Sequence, residues 1–378
     1  MINFPIDFPM TEPSVMTSVY CVLMYSICLL YSYQLSNAWN TGTIKRLPPS
    51  SIYAFTIFIG FFFVTNCING DFYHTMEKVH SFNQNDLYFF NGEPIYREIT
   101  TFVNNNYLLF RTIVWGGAFI VFCITARRMR APLFMAVSII CISYNILFCY
   151  SRATAAMAVY FCGLSFFCCQ YKKKLLGYVV GIFLILFSRS FHSSAVIMIL
   201  MTLALFLPAR KWSIVLAIIA IPIIAYYLKD YYFIYALDEE TDEFMSKKLL
   251  SYSERGLGQG IANIIISFLR YASIYIPIIF CYKSVFNKRE KGEKDVSEVR
   301  LFKVIIGLVY ASTVFLFFGG TFYTFFYRIL QMTIIPIALL LSRLYYEKKI
   351  PKKHLLFCLL TGVLYQFVHY SYMIYLNR

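Results

Sequence analysis

The sequence predicts an all-α polytopic membrane protein of about twelve transmembrane helices, and three observations carry that expectation. The 378 residues are 59% hydrophobic and 19% aromatic, with a mean hydropathy of +0.62. That leaves too little polar surface to cover a soluble globule of this size. Mostly apolar runs long enough to cross a bilayer recur along the whole length, and without period-two alternation they read as helices rather than barrel strands. Lys and Arg gather in alternate connections between these runs, which is the charge pattern of membrane topology.

In order, the runs fall at about 14–34, 51–67, 108–126, 131–149, 153–171, 175–188, 192–208, 212–228, 262–281, 303–319, 327–346 and 354–374. The sixth and seventh are short, and Ser188-Arg189-Ser190-Phe191-His192 separates them. Lys45/Arg46, Arg127/Arg128/Arg130, Lys172 to Lys174, Arg210/Lys211, the 282–302 segment and Arg343 with Lys348 to Lys353 mark the cytoplasmic side. The net charge of +15 therefore reflects topology, and nucleic acid is not an expected partner. Both termini fall on the opposite side. Asp7 and Glu12, with no Lys or Arg, precede the first run, so it lacks the basic start of a cleaved signal and is expected to stay.

Residues 1–378 thus read as one transmembrane domain with two longer outer loops, at about 68–107 and 229–261, and a mixed-charge cytoplasmic linker at about 282–302. The eleven cysteines lie mostly inside apolar runs without a C-x-x-C pair and read as small packing residues.

Asp71, Arg152, Arg189, His192 and Arg328 are far apart in sequence, yet this topology brings all five to the outer face. Charges near the hydrocarbon core are costly and usually face a polar cavity or a partner, so together they outline a site. Asp71, in Asn69-Gly70-Asp71-Phe72-Tyr73, is either a helix cap or a base. His74 adds a second ligand-type group, and two do not define a metal site. Arg189 and His192 are three apart and would share a cavity if the break between their runs is helical. Arg152 opens the fifth run, and Arg328 follows an aromatic stretch ending in Tyr327. Arg270 is a further candidate, or a salt-bridge partner of the preceding loop. No phosphate loop, H-E-x-x-H or nucleophile elbow is present. A basic outer set suits an anionic lipid headgroup such as a departing diphosphate.

Four ordered stretches resemble the EpsG family of exopolysaccharide biosynthesis proteins, which belong with Wzy-type polysaccharide polymerases in the GT-C group of membrane glycosyltransferases. They are Gly70-Asp71-Phe72-Tyr73, Glu93-Pro94-Ile95-Tyr96, Arg152-Ala153 through Lys172-Lys173-Lys174 to Phe191-His192-Ser193-Ser194-Ala195, and Tyr327-Arg328-Ile329. Phe72 stands where the family more often has Tyr, and Arg-Ala-Thr-Ala replaces the frequent Arg-Gln at residue 152. The resemblance implies a GT-C-like fold in the bacterial inner membrane, multi-pass, with an outward-facing active site. It implies extension of a repeat-unit polysaccharide from an undecaprenyl-diphosphate-linked glycan to a sugar hydroxyl. No metal or cofactor is expected from the residues themselves, because arginines already match the diphosphate and the acidic run Asp238 to Glu243 reads as solvated surface. The bilayer and other polysaccharide-assembly proteins are the partners. On this reading Arg152, Arg189 and Arg328 hold the diphosphate, Tyr73, Glu93 and Tyr327 contact substrate, and Asp71, slightly preferred, or His192 is the base. A flippase for lipid-linked oligosaccharide, a ligase of the same pathway and a membrane O-acyltransferase using His192 are the alternatives.

Overall fold

The computed structural model describes residues 70–83, 93–131, 151–169, 174–193, 195–206, 261–286, 296–317, 329–330 and 332–376. All regular structure among them is helical. The runs expected at about 14–34, 51–67, 131–149 and 212–228 lie outside the described residues, as does the second outer loop up to residue 260.

Within the segment expected to be the first outer loop stand two helices that hydropathy does not announce, α1 (Gly70–His80) and α2 (Pro94–Phe102). Pro94 opens α2, where its fixed φ suits the first turn and its missing N–H would have had no partner. The chain leaves α2 through Asn104 and Asn105, at φ 51° and 60°, a left-handed conformation that Asn tolerates better than most residues. Asn105 Nδ2 then donates to the carbonyls of His80 at 3.4 Å and Phe82 at 3.0 Å, tying the end of α2 to the end of α1.

A continuous run follows: α3 (Tyr107–Arg111), a π turn (Thr112–Gly116) and α4 (Gly117–Arg128). Next comes an antiparallel hairpin, α5 (Ser151–Cys168) with α6 (Lys174–Phe187). Gly163 and Gly181 let the two helices meet at backbone distance, since a Cβ on Gly163 would lie 2.8 Å from the Gly181 carbonyl oxygen. Phe167 stacks on Tyr178 at 5.3 Å, which fixes the same register nearer the turn. Ala155, Ala156 and Ala158 are fully or nearly fully buried, and such small residues let further helices close in. α5 accordingly packs against α4, α7 (Ala195–Met201) and α9 (Val296–Phe317) as well. α8 (Ile261–Phe286) packs on α10 (Ile334–Tyr346) and α11 (Lys352–Leu376). Every residue of α10 from Ile334 to Tyr345 is buried, so it forms the centre of this half.

Among the described residues no helix is long and apolar enough to cross a membrane. α6 and α10 are short against the roughly 20 residues that a span takes. α9 begins with Glu298, Arg300 and Lys303 in its first turns.

The helix ends that carry the basic clusters meet at one end of the bundle. Arg300 donates to the Phe167 carbonyl, Lys303 to that of Leu205 at 3.2 Å, Arg343 to that of Met129 at 3.4 Å, and Cys169 Sγ lies 3.3 Å from the Arg128 carbonyl. These cations sit where helix carbonyls run out of intrahelical partners, the position that the helix dipole favours. Glu298 is buried among them. Lys349 Nζ stands 2.5 Å from Glu298 Oε1 and 2.5 Å from Glu347 Oε2, while Arg343 Nε lies 3.3 Å from Glu347 and 3.7 Å from Glu298. Lys348, at φ 58°, makes the left-handed turn that brings Lys349 back over the cluster, closed by the Lys349 N–H to the Leu344 carbonyl at 2.8 Å. Burial first, then the hydrogen bond with Glu347, pushes the Glu298 carboxyl up to about 7. At Glu347 burial acts upward too, but the hydrogen bonds with Glu298 and Lys349 and the charge of Arg343 outweigh it and hold the group below its usual range. Of the two, Glu298 is therefore the carboxylate that takes up a proton first as pH falls.

Candidate functional site

The opposite end of the bundle is built around the break after α6. Ser188 Oγ donates to the Ile185 carbonyl at 2.6 Å, the local competition by which a serine hydroxyl loosens a helix end. A 3-10 turn (Ser188–Ser190) replaces the last α-turn, Phe191 follows, and helix resumes at Ala195. Arg189 lies on the 3-10 turn and is exposed, whereas His192 sits in the non-helical link and keeps 22% of its side-chain surface. The link at His192 is not helical, so the condition under which their three-residue spacing would put them on one helical face is not met.

One hundred residues earlier, Glu93 and Tyr96 lie three apart at the start of α2. The Glu93 carboxylate is only 2% exposed. Its Oε1 accepts the backbone N–H of Ser193 at 3.3 Å and lies 3.9 Å from His192 Nε2. The second distance exceeds hydrogen-bond length, yet it is short for a charge facing an imidazole with water largely excluded. The Tyr96 ring, fully buried, meets Phe191 edge-on at 6.1 Å, and Phe191 meets Phe187 in the same manner at 5.5 Å. One turn of α2 thus grips the link on both sides of His192, by a ring contact and by a carboxylate.

The hairpin register carries Arg152 to the same place. Extended from the Gly163–Gly181 contact, it brings the start of α5 level with the Ser188–Ser190 turn, which packs on α5. Arg152 is the second residue of α5, and Asp71 the second residue of α1. The side chains of Arg152, Asp71, Tyr73 and His74 lie outside the described residues, as do Tyr327 and Arg328 entirely. Of the expected site residues, the structure brings together Glu93 and His192, with Arg189 and the backbone of Arg152 at the same end. Arg270 Nε donates to the Tyr365 hydroxyl at 3.0 Å.

Sequence reasoning passes over Arg111. It is 4% exposed on α3, which packs against α1 and α2, and an arginine interrupting an apolar run is itself a signal. It also takes Arg343 and Lys349 only as markers of topology, although Arg343 and Glu347 stand at the i, i+4 spacing of a helical ion pair.

The model of the EpsG family matches residues 45–377, nearly the whole chain. The chain belongs to the EpsG family. EpsG proteins are Wzy-like polymerases, tied to polysaccharide biosynthesis. The match spans the Glu-Pro-x-Tyr and Phe-His-Ser segments that meet in the site. No curated protein and no solved structure matches the chain.

Proposed function

We propose that this EpsG-family chain is a membrane glycosyltransferase that lengthens a repeat-unit polysaccharide at the outer face of the inner membrane. It draws on an undecaprenyl-diphosphate-linked glycan as donor. A hydroxyl of the acceptor glycan loses its proton and attacks the anomeric carbon, the bond from that carbon to the lipid diphosphate breaks, and the diphosphate leaves with the bonding electrons. The site must then supply a base and neutralise growing negative charge. Arg152, Arg189 and Arg328 serve the second task, because guanidinium forks match phosphate oxygens. Tyr73 and Tyr327 serve as sugar-stacking contacts. His192 serves as the base in preference to Asp71.

The observation that carries this reading is the meeting of His192 with buried Glu93, at the end of the bundle that holds Arg189 and the start of α5. A partly exposed imidazole, three residues after an exposed arginine, is suited to a proton transfer next to an anionic leaving group. The segregation of the lysine-rich helix ends to the other end supports the membrane topology. The bilayer is further supported by outward apolar faces. Leu175, Val179, Ile182, Phe183 and Leu186 of α6 and Leu360, Leu364 and Phe367 of α11 are exposed at helical spacing, a surface too apolar for water.

The test is to delete the gene and size the polysaccharide. Single repeat units accumulating on the outer leaflet support a polymerase. Full-length polymer left unattached would mean a ligase, units trapped inside a flippase, and unchanged length with lost O-acyl groups an acyltransferase.

A further inference from the structure

We propose that Glu93 is a positioning residue: it fixes the orientation and charge environment of the His192 imidazole and the link that carries it, and does not itself touch substrate. The motif resemblance puts Glu93 among the substrate contacts, but a carboxylate with 2% of its surface exposed has no face left for a sugar. What Glu93 does reach is the link. It accepts the Ser193 N–H at 3.3 Å and faces His192 Nε2 at 3.9 Å, while Tyr96 from the same turn of α2 holds Phe191. Of the link's residues, His192 and Ser193 are thus met by the carboxylate and Phe191 by the ring.

The arrangement has a physical logic. After the 3-10 turn the backbone around His192 leaves the helix, and main-chain bonds tie it to its flanks: the Phe191 N–H donates to the Ser188 carbonyl at 3.1 Å and the Ala195 N–H to the His192 carbonyl at 3.0 Å. These bonds hold the main chain, and the buried Glu93 carboxylate adds a restraint from a distant segment twice, through the Ser193 N–H and through charge facing the imidazole. A carboxylate behind an imidazole also stabilises the proton that the imidazole takes up, so the pair is suited to a base that must hold a proton briefly. Because Glu93 is the N-cap residue of α2 and Tyr96 lies in its first turn, their aim is set by that helix and not by substrate.

Two experiments on the full-length protein in detergent or nanodiscs test this. The first needs no activity: diethyl pyrocarbonate labelling of histidines, followed by peptide mass spectrometry. In Glu93→Ala, His192 is expected to label about threefold faster or more as its restraint is lost. His354, stacked on Phe280 at 4.3 Å on the helix that starts at the basic end, is the internal reference and stays unchanged. Equal His192 rates in wild type and variant would overturn the proposal, and so would a parallel rise at His354, which would mark Glu93 as general packing.

The second rests on the polymerase reading above. Glu93→Gln, which retains an acceptor for the Ser193 N–H but not the charge, is expected to lower kcat about tenfold with KM for the lipid-linked donor within about twofold. Glu93→Asp is expected to recover part of that loss. The pair Glu93→Gln with His192→Gln should be no slower than His192→Gln alone, because a residue acting only through His192 has nothing further to lose. A raised KM, or multiplied losses in the double variant, would overturn the positioning role. Failure of wild-type protein to polymerise at all would remove the polymerase reading and leave the labelling result to decide the role of Glu93.

Discussion

Each end of the bundle buries a glutamate opposite cationic or titratable groups from a distant segment, and the two are finished differently. At the basic end Glu298 is enclosed by Lys349, Arg343 and Glu347, with separations from 2.5 to 3.7 Å. At the other end Glu93 lies 3.9 Å from His192 Nε2 and accepts the Ser193 N–H at 3.3 Å, while His192 keeps 22% of its side-chain surface and Arg189, three residues earlier, is exposed. A charge cluster whose partners are all supplied by the protein clamps helices together. A cluster that leaves an imidazole and a guanidinium partly open suits a ligand that brings its own charge. Buried charge alone therefore does not mark the site; the degree to which the chain completes it does.

The largest expected effect lies at the open end. His192→Gln should lower polymer formation by about a hundredfold or more, the usual scale of a lost general base, with the thermal midpoint within a few degrees of wild type. Near-normal chain length in that variant would return the base to Asp71. Glu298→Ala should do the reverse. Leaving Arg343 and Lys349 with a single carboxylate is expected to cost about 3 kcal/mol, the scale of breaking a buried ion cluster by removing one partner. Urea or thermal unfolding in detergent reads the loss, and the protein that remains folded should keep its activity. If Glu298→Ala abolished activity without loss of stability, the division between clamp and site would be wrong.

The clamp should also respond to pH. The Glu298 carboxyl, pushed up to about 7, binds its proton more tightly in the folded than in the unfolded chain. The stability it contributes is complete in mild acid below the ordinary carboxylate range and is lost as pH rises through about 7. Glu347, held below the usual range, acts in the opposite sense and only in stronger acid. The unfolding midpoint should therefore fall as pH rises from about 4.5 to about 7 in wild type, level off above that, and show no such fall in Glu298→Gln. A smaller effect is expected at Lys348. Its left-handed φ of 58° strains a residue with a Cβ, so Lys348→Gly should raise stability by up to about 1 kcal/mol.

The helices visible in sequence are those with long apolar runs. The expected runs at about 108–126, 153–171, 175–188, 262–281, 303–319 and 354–374 all correspond to observed helices, and the weak separation at Ser188 to His192 corresponds to the 3-10 break. α1 and α2 escape because their faces are mixed: Glu77, Lys78 and His80 in one and Arg97 and Glu98 in the other break the apolar signal. For the site, sequence supplies the residue types, since an Arg or His at the end of a long apolar run is rare enough to be noticed singly. It does not supply the contact between Glu93 and His192, which spans 100 residues and depends on how α2 lies against the α6 break. The ion clamp is missed for a related reason. Lys and Arg in a basic connection read as topology, and only the left-handed turn at Lys348 reveals that one of them folds back onto Glu298.

Glycosyl transfer at the open end can be read out by reconstituting the purified full-length protein in proteoliposomes with lipid-diphosphate-linked repeat units alone. The expected products are glycan chains of two or more repeats, with one lipid diphosphate released for each new bond, and both are lost in His192→Gln. Repeat units that stay single while the protein is folded, or that cross the bilayer unextended, would contradict glycosyl transfer at that end.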